Sequence, residues 1–127
     1  MDELFVSYVK PQENGNRTDV QWVALAEPRG RGLLACGAPL LNFSALRYSR
    51  KSLEEAKHPC DLRRAESLLV SLDHAHTGLG SASCGPGPLP AYLLQPEEMR
   101  FRFRLVPFSL DAVSPMALYR RPPEECG

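Results

Sequence analysis

The chain has 127 residues, room for one domain of ordinary size. Its 15 basic and 15 acidic residues cancel, which excludes a polyanion binder that works by bulk charge. At 43% apolar and 24% charged the composition excludes wholesale disorder, and 9 Gly with 12 Pro argue against a helix bundle and for a turn-rich β protein.

LFVSYV at 4–9 predicts a strand that begins almost at the initiator Met. PQENGNRTD at 11–19 is a loop with Asn14-Gly15 as its turn core. VQWVALA at 20–26 predicts a strand with Trp22 on one face, broken by EPRGRG. Residues 33–36 and 39–46, in LLACG and PLLNFSAL, predict two further strands separated by Gly37. SRKSLEEAKH at 49–58 predicts a short helix near 50–58, capped by Ser49 or Ser52, with Ser52 and Glu55 as a capping box. Pro59 ends it. SLLVSLD at 67–73 is another strand, followed by a loop of small and rigid residues at 78–90. AYLLQPEE predicts a short extended segment and a turn.

MRFRFRLVPF at 99–108 carries the clearest strand pattern. Arg100, Arg102 and Arg104 alternate with Phe101, Phe103 and Leu105, so one face is apolar and the other basic. After Phe108 no packed structure is expected, and residues 109–127 read as a Pro-rich, disordered tail. The sum predicts an all-β antiparallel sandwich over 1–108. Its few strands would leave open edges, as in half of a larger sandwich.

The longest apolar runs, such as LLVSL at 68–72, fall far short of the roughly 20 residues that span a bilayer. MDELFVSYV lacks a basic region followed by an apolar one, so a cytoplasmic location without a secretory signal is expected. Cys36, Cys60, Cys84 and Cys126 form no CxxC pattern, and reduced thiols are expected.

A retaining glycosidase needs two carboxylates about 5–5.5 Å apart. Glu13, Glu54, Glu55 and Asp73 share no motif that would pair them, and read as turn, helix-face and strand-end residues. His74-Ala-His76 puts two imidazoles on one face of an extended segment with Cys84 nearby. Zinc takes four ligands at tighter spacing, so no metal site is expected. No thiol-enzyme signature surrounds Cys84, which reads as a small buried thiol in a tight loop. Gly78-Leu79-Gly80 precedes no helix that could bind phosphate. The Arg100, Arg102 and Arg104 stripe points away from its aromatics, so bases could not stack beside it.

Three blocks carry the reading further. YVKPQENGNRTDVQWVAL holds Tyr8, Pro11, Glu13, Asn14, Gly15 and Arg17. NFSALRYSRKSLEEAKHPCDL holds Phe43, Ser44, Tyr48, Leu53, Glu54 and His58. LDHAHTGLGSASCGPGPLPAYLL holds Leu72, Asp73, Gly78, Gly80, Ser83, Cys84, Gly85, Pro86, Leu89, Pro90 and Tyr92. In this order, from Tyr8 to about Phe108, the blocks resemble the C-terminal (small-chain) domain of glycoside hydrolase family two β-galactosidases. The tail after Phe108 matches nothing in that pattern.

The resemblance implies roughly the second half of a galactose-mutarotase-like supersandwich. It also implies a division of labour. In the family the catalytic glutamates and the Mg and Na sites lie on a central barrel, so this chain would carry no catalytic residue and no cofactor. Its contribution would be a loop at the rim of the pocket, residues 78–87, with Gly80, Ser83, Cys84 and Gly85 as candidate substrate-binding positions. Well-known members place a sugar-stacking Trp in that loop. Cys84 and Gly85 stand here, and neither can stack on a pyranose ring.

Tyr8, Trp22, Phe43, Phe101 and Phe103 read as core, Glu13-Asn14-Gly15 as a turn held by side-chain hydrogen bonds, and Asp73 as a strand end. The expected partners are the remainder of a β-galactosidase and a galactoside at the shared pocket, with no nucleic acid or membrane. The alternative reading is a free-standing carbohydrate-binding module.

Overall fold

The computed structural model describes residues 4–78 and 84–122. The elements in chain order are β1 (Arg17–Ala26), β2 (Arg31–Tyr48), α1 (Arg50–Glu55), β3 (Arg64–Asp73), β4 (Arg102–Ser109) and α2 (Pro115–Tyr119), with 3-10 turns at Pro59–Asp61 and Pro90–Tyr92. The strands form one sheet in the order β1-β2-β3, with β4 also paired to β2. Both β3 and β4 run antiparallel to β2. The fold is all-β and sandwich-like, as expected, with two short helices rather than one among the described residues.

The chain divides into two compact units: Met1–Thr18 with Asn42–Asp73, and Asp19–Leu41 with His74–Gly127. β2 supplies strand to both. Its residues Arg31 to Ala38 pair with β4, and Asn42 to Tyr48 pair with β3.

In the first unit, residues 4–9 form no strand, contrary to the sequence pattern. The amide of Val6 donates instead to Asn14 Oδ1 at 2.9 Å, and Asn14 Nδ2 donates to the carbonyl of Gln12 at 2.9 Å. Gly15 sits at φ +73°, and a Cβ there would collide with the carbonyl of Leu4, so the turn requires glycine. Tyr8, expected in the core, is exposed. Phe5 lies against Tyr48, ring centroids 5.0 Å apart.

Helix α1 is shorter than predicted. Ser49 caps it by accepting from the Ser52 amide at 3.1 Å. Ser52 does not act as the cap; its hydroxyl accepts from the Arg63 amide at 3.1 Å and ties the helix to the approach of β3. Buried Leu53 and Ala56 anchor the helix. Lys10 extends to its C-terminal end, where its ammonium donates to the carbonyls of Glu54 and Ala56.

In the second unit, the four residues Glu27–Gly30 join β1 to β2, closed by the Gly30 amide on the Glu27 carbonyl at 2.9 Å. Strand pairing continues through Gly37, where the sequence predicted a break. The chain does bend there. A Cβ on Gly37 would strike the backbone of Leu40 and Leu41, so glycine lets one strand fold closely on itself without ending.

The core of this unit is Leu34, Cys36, Val106, Phe108 and Leu118, with Trp22, Ala24, Val113 and Tyr119 packed against it. Two expectations change here. First, the segment after Phe108 is not an unpacked tail within the described residues. Ser114 caps α2 through the Ala117 amide at 3.2 Å, and Leu118 is buried in the core.

Second, the alternation in β4 is real but its faces are reversed. Arg104 shares the core side with Val106 and Phe108, while Phe103 and Leu105 are exposed. The reason lies in α2. The Arg104 guanidinium donates to the carbonyls of Leu118, Tyr119 and Arg121 at 3.2, 3.3 and 3.1 Å. These carbonyls lie at and just past the C-terminal end of α2, and they make a half-buried cation tolerable.

Candidate functional site

The loop singled out by the sequence begins after β3, which ends at Asp73 opposite Asn42 in the sheet register. Beyond it His74 stands against Phe101, ring centroids 5.6 Å apart, and Phe101 against Phe103 at 5.2 Å. This aromatic row joins the approach to the loop with the start of β4. The pairing was not visible in the sequence, because it links residues about thirty positions apart through the fold.

Gly78 takes φ +74° with open space where a Cβ would stand. The turn at the loop's entry therefore depends on glycine's backbone freedom. At the other end stands the Pro90–Tyr92 turn, with the Tyr92 amide donating to the Leu89 carbonyl at 2.9 Å. The Thr77 hydroxyl reaches the Tyr92 carbonyl at 3.5 Å and ties the two ends of the loop together. Pro86, Pro88 and Pro90 restrict the exit.

Of the four candidate binding positions, Gly80 and Ser83 lie outside the described residues. Cys84 and Gly85 are both exposed, and the Cys84 thiol is free. The expected buried thiol is thus corrected: a short stretch rich in Gly and Pro offers too little apolar side chain to cover sulfur. Tyr92 is an exposed aromatic at the loop's base. Its chemistry suits contact with a sugar face better than that of Cys84, although the sequence marked it only as part of a matched block.

The remaining candidates disperse. Glu13 pairs with Arg50 at 3.1 Å and Glu55 with Lys51 at 3.8 Å, both in exposed positions where such pairs contribute little. Cys60 is exposed, with its sulfur 3.9 Å from Asp61 Oδ1. Asp61 Oδ2 accepts from the amides of His58 and Lys57 at 2.9 and 3.0 Å. These bonds, His58 first, hold its carboxyl below the usual carboxylate range. No three His, Cys, Asp or Glu side chains gather as a metal site among the described residues. No helix described is long and apolar enough to cross a membrane.

Several clefts open among the described residues. One of about 510 Å³ lies beside α1 and is lined by Ser49, Lys51, Glu55, Asp61, Arg63 and Arg64 among others. Another, of about 440 Å³, is lined by Lys10, Glu13, Arg50 and Leu53 among others. A third, of about 400 Å³, lies by the end of α2, with Arg102, Phe103, Arg104, Arg121 and Tyr119 in its wall. None of these includes Cys84 or Gly85.

A family model described as beta galactosidase small chain matches residues 1–105. A β-galactosidase of Arthrobacter sp. strain B7 is 32% identical over 118 residues, 83% of this chain and 11% of the relative. One from Kluyveromyces lactis is 37% identical over 103 residues, 81% of this chain and 10% of the relative. One from Priestia megaterium is 37% identical over 78 residues, 61% of this chain and 8% of the relative. The chain thus spans about a tenth of the length of the curated relatives it matches. With the match running from residue 1 into β4, the chain belongs to the β-galactosidase small-chain family.

Proposed function

We propose that this chain is a non-catalytic C-terminal β-sandwich portion of a family two β-galactosidase, part of a galactose-mutarotase-like supersandwich. Joined to the barrel domain, it contributes the 78–87 loop to the rim of a pocket that hydrolyses terminal β-galactosides. The observation that carries the reading is the family match over residues 1–105, within relatives of which the matched stretch is about a tenth.

On this reading the catalytic carboxylates and the Mg and Na sites belong to the barrel, and this chain's part is to shape and dry the pocket. A loop of small residues with tied ends suits that work. Its backbone can approach a ligand closely, and excluding water strengthens every electrostatic interaction inside the site. Gly80, Ser83, Cys84 and Gly85 are the positions proposed to face substrate, with Tyr92 at the base.

The test is hydrolysis of a chromogenic β-galactoside by the purified chain, alone and mixed with the Kluyveromyces lactis enzyme truncated to remove its matched stretch. Activity in the mixture only is the expected result. Activity of the chain alone overturns the non-catalytic role. Silence in the mixture, where the enzyme's own excised segment restores activity, overturns the assignment to a shared pocket.

A further inference from the structure

The chain as a whole carries no net charge, yet cationic side chains converge at one place in the second unit. The register sets Cys36 opposite Arg104 and Ala38 opposite Arg102. Arg102 and Arg104 alternate with Phe103 along β4 and so share one side of the strand. The small side chains across from them leave room there. The end of α2 supplies Tyr119 and Arg121 to the wall, and Phe103 borders it too. The result is the cleft of about 400 Å³, within the size range of small-molecule sites.

Three arginines line this cleft, and no Asp or Glu does among the described residues. Arg104 is committed to the fold. It donates to the carbonyls of Leu118, Tyr119 and Arg121, and its Nη2 stands 3.8 Å from Cys36 Sγ. It thereby covers carbonyls at the end of α2 that would repel an incoming anion. Arg102 and Arg121 are exposed, and neither side chain makes an ion pair among the described residues. Arg31, Arg50 and Arg100, by contrast, each have a carboxylate.

A cleft walled by one sign of charge focuses its field and concentrates ligands of the opposite sign. Two guanidinium groups without counter-ions match a dianion. A phosphate monoester carries about −1.5 to −2 at pH 7, and the planar guanidinium fork binds its oxygens in pairs. A single carboxylate would leave one cation unmatched. Tyr119 and Phe103 present aromatic surface to the organic part of such an ester.

We propose that the cleft between β4 and the end of α2 binds a phosphate monoester with an apolar or aromatic organic group, held by Arg102 and Arg121 and backed by Arg104. Its wall includes neither Cys84 nor Gly85, and Tyr119 and Arg121 lie beyond residues 1–105, which the family model matches. The site therefore does not depend on the reading under Proposed function.

The test is a nuclear magnetic resonance titration of the isotope-labelled full chain with phenyl phosphate, inorganic phosphate and phenol. Phenyl phosphate is expected to bind saturably and to shift the amides of Cys36 to Ala38 and Arg102 to Arg104. Inorganic phosphate is expected to bind about threefold or more weakly, and phenol to leave these amides in place. Arg102→Gln and Arg121→Gln each remove one fork without removing a hydrogen bond of the fold, and each is expected to weaken phenyl phosphate about tenfold. Arg29→Gln, an exposed position in the turn between β1 and β2, makes the same change of net charge and is expected to alter affinity less than about twofold. Circular dichroism and urea midpoints establish that each variant folds. If one glutamine variant does not, the other variant and the wild-type shift map decide. Absence of saturable binding, shifts confined to other amides, or full affinity in both glutamine variants overturns the site. Inorganic phosphate binding as tightly as phenyl phosphate overturns the monoester assignment. Phenol shifting the same amides as strongly overturns the anionic character of the ligand.

Discussion

Asn14 and Asp61 do similar work in the first unit: each uses one short polar side chain to hold backbone that no strand or helix satisfies. Asn14 takes the Val6 amide, a bond that a strand ladder would otherwise claim in the apolar stretch at 4–9. Asp61 takes two amides and has its carboxyl lowered by them. A carboxyl lowered on folding contributes stability that is present above its unfolded value, near 3.9, and is lost as pH falls through the folded one. Amide exchange at Lys57 and His58, corrected for intrinsic rates, is therefore expected to stay flat from neutral pH to about pH 4 and to accelerate below it. In Asp61→Asn that acid step should disappear. An unchanged step in the variant would assign it to another group.

At the scale of elements, β4 shows what a binary pattern contains and what it omits. The alternation of Arg with Phe and Leu was readable, and it gave the strand its place to within a few residues. Which face is inside was not readable, because it depends on α2, a five-residue helix that no periodic pattern announces. Once α2 presents its terminal carbonyls, Arg104 has acceptors on the core side, and the aromatic face turns outward. Leu118 is the residue that docks this helix. Leu118→Ala is expected to destabilise the chain by about 2–5 kcal/mol, the usual range for emptying a buried leucine site, read as a shift in the urea midpoint. A shift within error would mean that α2 contributes nothing to the core.

For the molecule as a whole, the physical reading of the residues reached an antiparallel β fold with open edges, and the matched blocks supplied the family. The site was less legible. Loop 78–87 stood out only through resemblance, since glycines and prolines announce a turn without saying what it borders. The aromatic row of His74, Phe101 and Phe103 was hidden altogether, because contacts across the fold leave no local signature.

The pairing of β2 with β4 also governs the order in which this protein can acquire structure. Arg31 waits for Ser109 and Ala38 for Arg102, so the central strand of the second unit emerges from a ribosome long before its neighbour does. Contacts of such high sequence separation form slowly. Until they form, Leu34 and Cys36 lack their cover, and one edge of β2 stays open to any strand that passes. A nascent chain that stops before residue 102 should accordingly draw chaperones or aggregate, whereas one that continues through α2 can close its own core.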